Sequence, residues 1–326
     1  MVKICIIKLG AKGDVIRTLP LLVGIRKKYP ESEITWITKE NVKDLLLRVK
    51  EIDKVVTDYQ NYVDFFDILY NFDIDDEATM LAMKIKATEK KGFYSEDGYA
   101  MAFNVGAEYY INTMFDDSLK KANRKTYQEM MYDAAELSYN KEFLGFELND
   151  ESKNFASDFK IRNNISKKII GIHMGAGSRW PSKAWYKENV KEFIKIAKGK
   201  GYEILLFGGP NEIEEHKMLA KELINGGIKI LQNNPNNTDG EFAALIDLCS
   251  VVVCSDSFAL HVALALKKKT VGLFFCTSPW EVEGYGLLTK IVSPLLPNFF
   301  PERSDEYNED LVKSISPEEV LKECDS

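Results

Sequence analysis

Short apolar runs alternate with amphipathic stretches along most of the chain. Residues 2–8 are apolar apart from Lys3 and Lys8, and such a run predicts a strand buried on both faces. After a glycine-containing loop, apolar positions recur at helical spacing over residues 14–29, until Pro30 closes the segment. A second strand over 33–38, a second helix from Asn41 and a candidate strand over 65–69 continue the alternation, which predicts a parallel sheet with crossover connections. Over 77–146, Tyr, Met and Lys residues blur the periodicity, and only a helix over 124–139 stands out. A polar stretch, 149–168, reads as a domain boundary. Beyond it the rhythm restarts, with strands at 169–174, 203–207, 229–231, 251–254 and 270–275 and helices at 187–198, 212–224, 241–248 and 257–266. A last short helix, 316–322, is a candidate to pack back on the first domain. The expectation is an α/β chain of two Rossmann-like domains, residues 1–160 and 165–326.

Length agrees with that division, since 326 residues exceed the size at which single cores stop growing. With 45% apolar and 29% charged residues, and no apolar run near the roughly 18 residues that span a bilayer, the chain reads as soluble. Lys8 cuts the first apolar run below signal-peptide length, which predicts a cytoplasmic protein with at most peripheral membrane contact. The five cysteines, Cys5, Cys249, Cys254, Cys276 and Cys324, form no CxxC pair and read as reduced packing residues. A net charge of -7 argues against a nucleic-acid surface, so any phosphate site must be local.

Four loops at expected strand ends carry candidate chemistry. The first, Lys8-Leu9-Gly10-Ala11-Lys12-Gly13-Asp14, has GxxGD spacing and lacks the GxGxxG dinucleotide fingerprint; Asp14 is equally explained as a helix N-cap. The second runs from Gly175 through Gly177, Ser178, Arg179 and Lys183 to Trp185: small residues that admit a diphosphate, beside donors and positive charge. A glycine-rich turn with a solvated lysine explains it as well. In the third, Gly208-Gly209-Pro210-Asn211-Glu212, the glutamate suits two ribose hydroxyls or simply the positive end of a helix. In the fourth, Asp256 reads as an N-cap presenting the amides of Ser257 and Phe258 to phosphate oxygens, with His261 further along the same helix. His173 and His216 share no metal-ligand spacing with His261, and the acidic pairs Asp75-Asp76 and Asp116-Asp117 read as surface, so no metal is expected. Each loop alone has a plain structural explanation; their joint occurrence at the ligand-facing edge of two sheets does not.

The order of these motifs resembles glycosyltransferase family 9, the ADP-heptose:lipopolysaccharide heptosyltransferases, over nearly the whole chain. The likeness rests on GxxGDVxxTLP (Gly10 to Pro20), the SKxW core within Gly177–Trp185, Gly208-Gly209-Pro210 with Glu212, Asp256-Ser257 with His261, and Thr277-Ser278-Pro279. The chain departs from the family at Phe258, commonly a glycine, and at Cys276, where Gly-Pro is common before the threonine.

The resemblance implies a GT-B fold, two Rossmann-like domains with parallel sheets facing a cleft, with the acceptor on the first domain and the nucleotide sugar on the second. It implies Asp14 as catalytic base, with Gly10, Lys12 and Gly13 on the acceptor-side loop. Lys183 would partner the donor phosphates and Glu212 the ribose, while Asp256, Ser257 and His261 would belong to a phosphate-binding helix start. The implied reaction is inverting, metal-independent and cofactor-free transfer of a heptose from an ADP-linked donor to a saccharide or lipid-linked saccharide. Open beside it stand a nucleotide-sugar epimerase and a non-catalytic nucleotide-sugar-binding protein; a dehydrogenase is disfavoured by the missing fingerprint.

Overall fold

The computed structural model describes residues 1–175 and 179–325. The chain divides into two units, Met1–Glu147 with Trp280–Glu283, and Leu148–Pro279 with Gly284–Ser326.

The first unit runs β1 (Lys3–Ile7), α1 (Lys12–Thr18), α2 (Leu21–Lys28), β2 (Glu33–Ile37), α3 (Lys43–Leu46), β3 (Lys54–Val56), β4 (Phe65–Asn71), α4 (Asp76–Lys84), β5 (Lys86–Glu96), β6 (Tyr99–Ala102), α5 (Val105–Phe115), α6 (Asp117–Ala122) and α7 (Tyr127–Ala134). Its strands are ordered β3-β2-β1-β4-β5-β6, parallel except for the β5–β6 hairpin. Residues 4–7 of β1 are wholly buried because β1 is paired on both sides and covered on both faces, which is why it reads as an unbroken apolar run. On one face Ala78, Leu81 and Ala82 of α4 pack against Cys5, Ile7, Phe66 and Leu69. The single helix expected over 14–29 is two, because Pro20 has no N–H to continue the ladder, and the chain turns through Leu22 N to Leu19 O and Val23 N to Pro20 O. Gly24 lets α2 meet α7 closely: a Cβ there would lie 2.6 Å from the Tyr132 ring, whose hydroxyl donates to Pro20 O.

The second unit runs α8 (Asp150–Arg162), β7 (Ile169–His173), α9 (Lys187–Gly199), β8 (Glu203–Phe207), α10 (Ile213–Asn225), β9 (Leu231–Gln232), α11 (Asp239–Asp247), β10 (Val251–Ser255), α12 (Phe258–Ala265), β11 (Lys269–Phe274), β12 (Leu288–Val292), α13 (Glu309–Lys313) and α14 (Pro317–Asp325). Its sheet is parallel throughout, in the order β12-β11-β10-β7-β8-β9. Val190, Phe193, Ile194 and Ala197 of α9 close over Ile170, Ile172, Ile204 and Leu206; each large side chain buried there contributes roughly 1.5–3 kcal/mol.

Two expectations are corrected. Most of the polar stretch read as a domain boundary forms helix α8, started by Asn149, whose Oδ1 accepts from Ser152 N; the helix belongs to the second unit, which begins at Leu148, ahead of the expected 160–165 boundary. The final helix is part of the second unit: Val320, Leu321 and Cys324 of α14 join the core around Phe193. Apolar residues three to four apart give α14 a face that must be covered, and α9 covers it. All five cysteines are buried and unbridged. Among the described residues no helix is long and apolar enough to cross a membrane.

Candidate active site

In each unit the strand order reverses at one place, and the crevice outside the carboxyl ends there is where open α/β sheets take ligands. In the first unit the reversal lies between β1 and β4, in the second between β7 and β10. The loops singled out in the sequence leave β1, β7 and β10, so both switch points are furnished with them.

At the first switch point Gly13 is buried in α1, Lys12 is its first residue, and Ala11 is its N-cap. The capping explanation of Asp14 therefore fails. Asp14 lies inside the first turn, where the positive end of the helix favours a carboxylate, and its Oδ1 is 2.7 Å from Arg17 Nη2. Arg17 is held in turn over the face of Tyr127, 3.9 Å from the ring centroid. Tyr127 is fully buried, and its hydroxyl shares a 2.9 Å hydrogen bond with Thr18 Oγ1. Lys8 and Asp73 sit below, both buried, with Nζ 3.5 Å from Oδ2; Lys8 Nζ donates to Phe72 O and Asp73 Oδ2 accepts from Leu9 N. Burial works against the Lys8 charge, but Tyr127, Asp73 and Asp14 outweigh it and push its pKa above the usual lysine value. Gly10 lies between the two carboxylates: a Cβ on it would come within 3.2 Å of Asp73 Oδ2 and 3.5 Å of Asp14 Oδ2.

At the second switch point Gly177 and Ser178 lie outside the described residues. Arg179 is exposed and rests over the Trp180 ring. Lys183 ends a single helical turn, Pro181–Lys183, fixed by its neighbours. The wholly buried Ser182 hydroxyl donates to Glu306 O and accepts from Asn308 N, and Trp185 Nε1 donates to Ile315 O. So held, Lys183 Nζ donates to Asp256 O at 2.9 Å and lies 3.3 Å from Asp256 Oδ2. His261, buried one turn into α12, has Nε2 3.6 Å from Asp256 Oδ1.

Asp256 is not the N-cap of α12. Ser257 is, with extended backbone and its carbonyl accepting from Leu260 N and His261 N, and the Asp256 carboxylate is turned to Lys183 instead. Phe258 opens the helix and stacks on Phe242, centroids 5.3 Å apart. Ser257 Oγ lies 3.4 Å from His173 Nδ1; burial is the main reason the His173 imidazole is held down to about 4, hence neutral at pH 7.

Beyond β8, Glu212 Oε2 accepts from Gly209 N at 2.8 Å, and the carboxylate covers Gly175, where a Cβ would come within 2.9 Å of it. Gly175, and Gly208, where a Cβ would collide with the His216 ring, are thus required for packing. Among the described residues no group of three or more His, Cys, Asp or Glu is placed to hold a metal.

A family model for glycosyltransferase family 9 (heptosyltransferase) matches residues 66–308, most of the chain. The chain belongs to this family. It is therefore a glycosyltransferase. Among curated relatives, the lipopolysaccharide core heptosyltransferase OpsX of Haemophilus influenzae is 24% identical over 89% of this chain and 84% of its own. A family 9 glycosyltransferase of Veillonella parvula matches the fold with a TM-score of 0.78 at 20% identity, covering 99% of this chain and 96% of its own. The ADP-heptose lipopolysaccharide heptosyltransferase II of Escherichia coli matches with a TM-score of 0.71 at 18% identity, covering 99% and 97%. The GT-B class of two Rossmann-like units is thus the fold of this family 9 member.

Three residues around Asp14 escaped the sequence reading, Arg17, Asp73 and Tyr127, and Lys8 opened the first candidate loop without being given a role. Asp73 had a usable signal, since it follows a strand that ends at the same sheet edge as β1.

Proposed function

We propose that this family 9 member transfers a heptose or closely related sugar from an ADP-linked donor to a saccharide or lipid-linked saccharide acceptor, in the cytoplasm, as a step in building lipopolysaccharide or a similar surface glycan. Two of the relatives named above, those of Haemophilus influenzae and Escherichia coli, are heptosyltransferases. The observation that carries the reading furthest is the meeting of Lys183 and Asp256 beside the start of α12, at the second unit's switch point. That is a held cation next to the positive end of a helix, the environment a leaving diphosphate requires.

In this reading the first unit carries the acceptor and the second the nucleotide sugar. The acceptor oxygen bonds to the anomeric carbon as the bond from that carbon to the diphosphate breaks on the opposite face, giving inversion. Asp14 takes the acceptor proton. The electron pair leaves with the diphosphate, where Lys183, released from Asp256, Arg179 and the first amides of α12 meet the growing charge; such preorganised donors take the place of a metal ion. Gly177 and Ser178, which precede Arg179 in the sequence, are assigned to the same donor phosphates. Glu212 contacts the ribose, Asp256, Ser257 and His261 shape the phosphate end, and Gly10, Lys12 and Gly13 form the acceptor-side loop.

The test is turnover of a panel of nucleotide sugars with a heptose-bearing core saccharide, with and without EDTA, the product's anomeric configuration being read by NMR. The reading expects an inverted product from ADP-heptose at a rate EDTA leaves unchanged. Retention, a strict requirement for a divalent ion, or turnover only of other nucleotide sugars would overturn the corresponding part.

A further inference from the structure

We infer that Asp73, paired with Lys8, is a positioning residue for Asp14: it fixes the Gly10 turn beneath the base and supplies the negative charge that sustains the base's proton affinity. The inference deepens the proposed function and rests on Asp14 being the base.

Asp73 is 4% exposed and Lys8 5%, so this ion pair has been taken out of water, and a pair of apolar side chains would be about as stable there. Its geometry shows what it does instead. Asn71, itself wholly buried, donates to Asp73 O and Phe93 O and accepts from Asp73 N, so the chain leaving β4 is locked. From that locked position Asp73 Oδ2 accepts from Leu9 N at 2.9 Å, and Oδ1 from Asp75 N at 3.4 Å. Lys8 completes the clamp by donating to Phe72 O. The loop carrying Gly10 is thereby tied to the neighbouring strand end across the switch point, and α1, with Asp14 in its first turn, starts from that loop.

The electrostatics run the same way. Asp14 faces Arg17 on its own helix, Lys8 just after β1, and Asp73 and the exposed Asp75 beyond the end of β4; the tyrosines Tyr127 of α7 and Tyr110 of α5 face the two cations, Lys8 and Arg17. Arg17 and Lys8 both pull the affinity of Asp14 for a proton down. Asp73 opposes them from across Gly10, within reach of a Cβ that would also touch Asp14. A base flanked by two cations alone would be a poor proton acceptor.

The experiment is the pH profile of kcat at saturating acceptor, with donor affinity measured by calorimetry, for three variants. Asp73→Asn keeps an acceptor for Leu9 N and removes the charge. It is expected to move the acid limb about one pH unit lower and to cut kcat about tenfold, with donor affinity changed less than about twofold. Lys8→Met removes a cation, and its acid limb is expected to move the opposite way. The double variant Lys8→Met/Asp73→Asn buries no lone charge, so it folds even where a single variant does not. In it the limb returns to the wild-type position while kcat stays about tenfold down, because the Lys8 tie to Phe72 O is gone and a neutral amide holds Leu9 N less firmly than the carboxylate did.

Limbs unmoved in the single variants, or wild-type kcat in the double variant, would overturn the inference. Asp14→Asn, run in parallel, separates the two levels. If it retains turnover, the assignment of the base fails; if it loses turnover while the limbs stay put, only the role of Asp73 fails.

Discussion

Replacing Lys183 with alanine removes an ammonium that the second unit holds against the start of α12 by two contacts, 2.9 Å to Asp256 O and 3.3 Å to its Oδ2. The side chains are 15% and 18% exposed, so the pair is partly screened, and its loss is expected to cost the fold about 1 kcal/mol. The turn itself stays, because Ser182 and Trp185 anchor it independently. A charge-assisted hydrogen bond to a phosphate contributes on the order of 1.5–3 kcal/mol, reduced by what Lys183 gives up on leaving Asp256. Donor affinity should therefore fall about tenfold, at the lower end of that range. Because the leaving diphosphate gains charge in the transition state, kcat should fall a further ten- to hundredfold or so. Calorimetric titration of the donor gives the first quantity, steady-state turnover the second, and circular dichroism checks the fold. Donor affinity and kcat both within about twofold of wild type would refute the reasoning and return Lys183 to a structural role as the partner of Asp256.

Two further outcomes are expected. ADP at about a hundred times its dissociation constant should stabilise the protein by roughly 2.7 kcal/mol, seen as a rise of the melting temperature that GDP and UDP do not match; no shift with ADP would remove the donor site from the second unit. His173 is held neutral by burial at a pKa of about 4, below its unfolded value, so the unfolded chain binds the proton first as pH falls from about 6.5 towards 4. Stability contributed by keeping it neutral is thus full above that window and lost through it. Wild type should lose roughly 1.5–2 kcal/mol more than His173→Gln between pH 7 and pH 5, and equal losses in denaturant titrations would show that the imidazole is not held neutral.

Much of this molecule is legible in its sequence where one physical demand dominates. The strand Glu203–Phe207 coincides with its expectation because a central parallel strand must be apolar on both faces. The loops after β1, β7 and β8 could be picked out because glycine is required where a side chain closes in, as the Glu212 carboxylate does at Gly175 and the His216 ring at Gly208. The β5–β6 hairpin was illegible: it lies at a sheet edge, its first residues are mostly exposed, and no alternation marks it. β12, with Ile291 its one buried residue, is hidden for the same reason.

The candidate site shows the same division. The loop proposed to carry the base announces itself through its glycines, but Asp73 lies beyond the end of the expected strand at 69, which in fact runs to Asn71, and a long-range ion pair with Lys8 leaves no local pattern. Tyr127 and Arg17 meet across more than a hundred residues for a reason only the packed unit supplies. At Asp256 the error was one of register: an Asp-Ser pair offers two capping residues, and the backbone of Ser257 takes the position.

The central claim, that this transferase uses Asp14 to take the acceptor's proton, is tested most directly by the turnover of Asp14→Asn with ADP-heptose and saturating acceptor. The substitution keeps shape and one acceptor oxygen. It loses an i,i+3 ion pair with Arg17 in which the Asp14 side chain is 35% exposed, which should cost the fold only about 0.5 kcal/mol. Because the capping explanation is excluded by Ala11 standing at the N-cap, no larger structural loss is expected. The account predicts wild-type donor affinity, an unaltered circular dichroism spectrum and turnover reduced by roughly two to four orders of magnitude. Turnover within about threefold of wild type under those conditions would contradict it and place the base elsewhere.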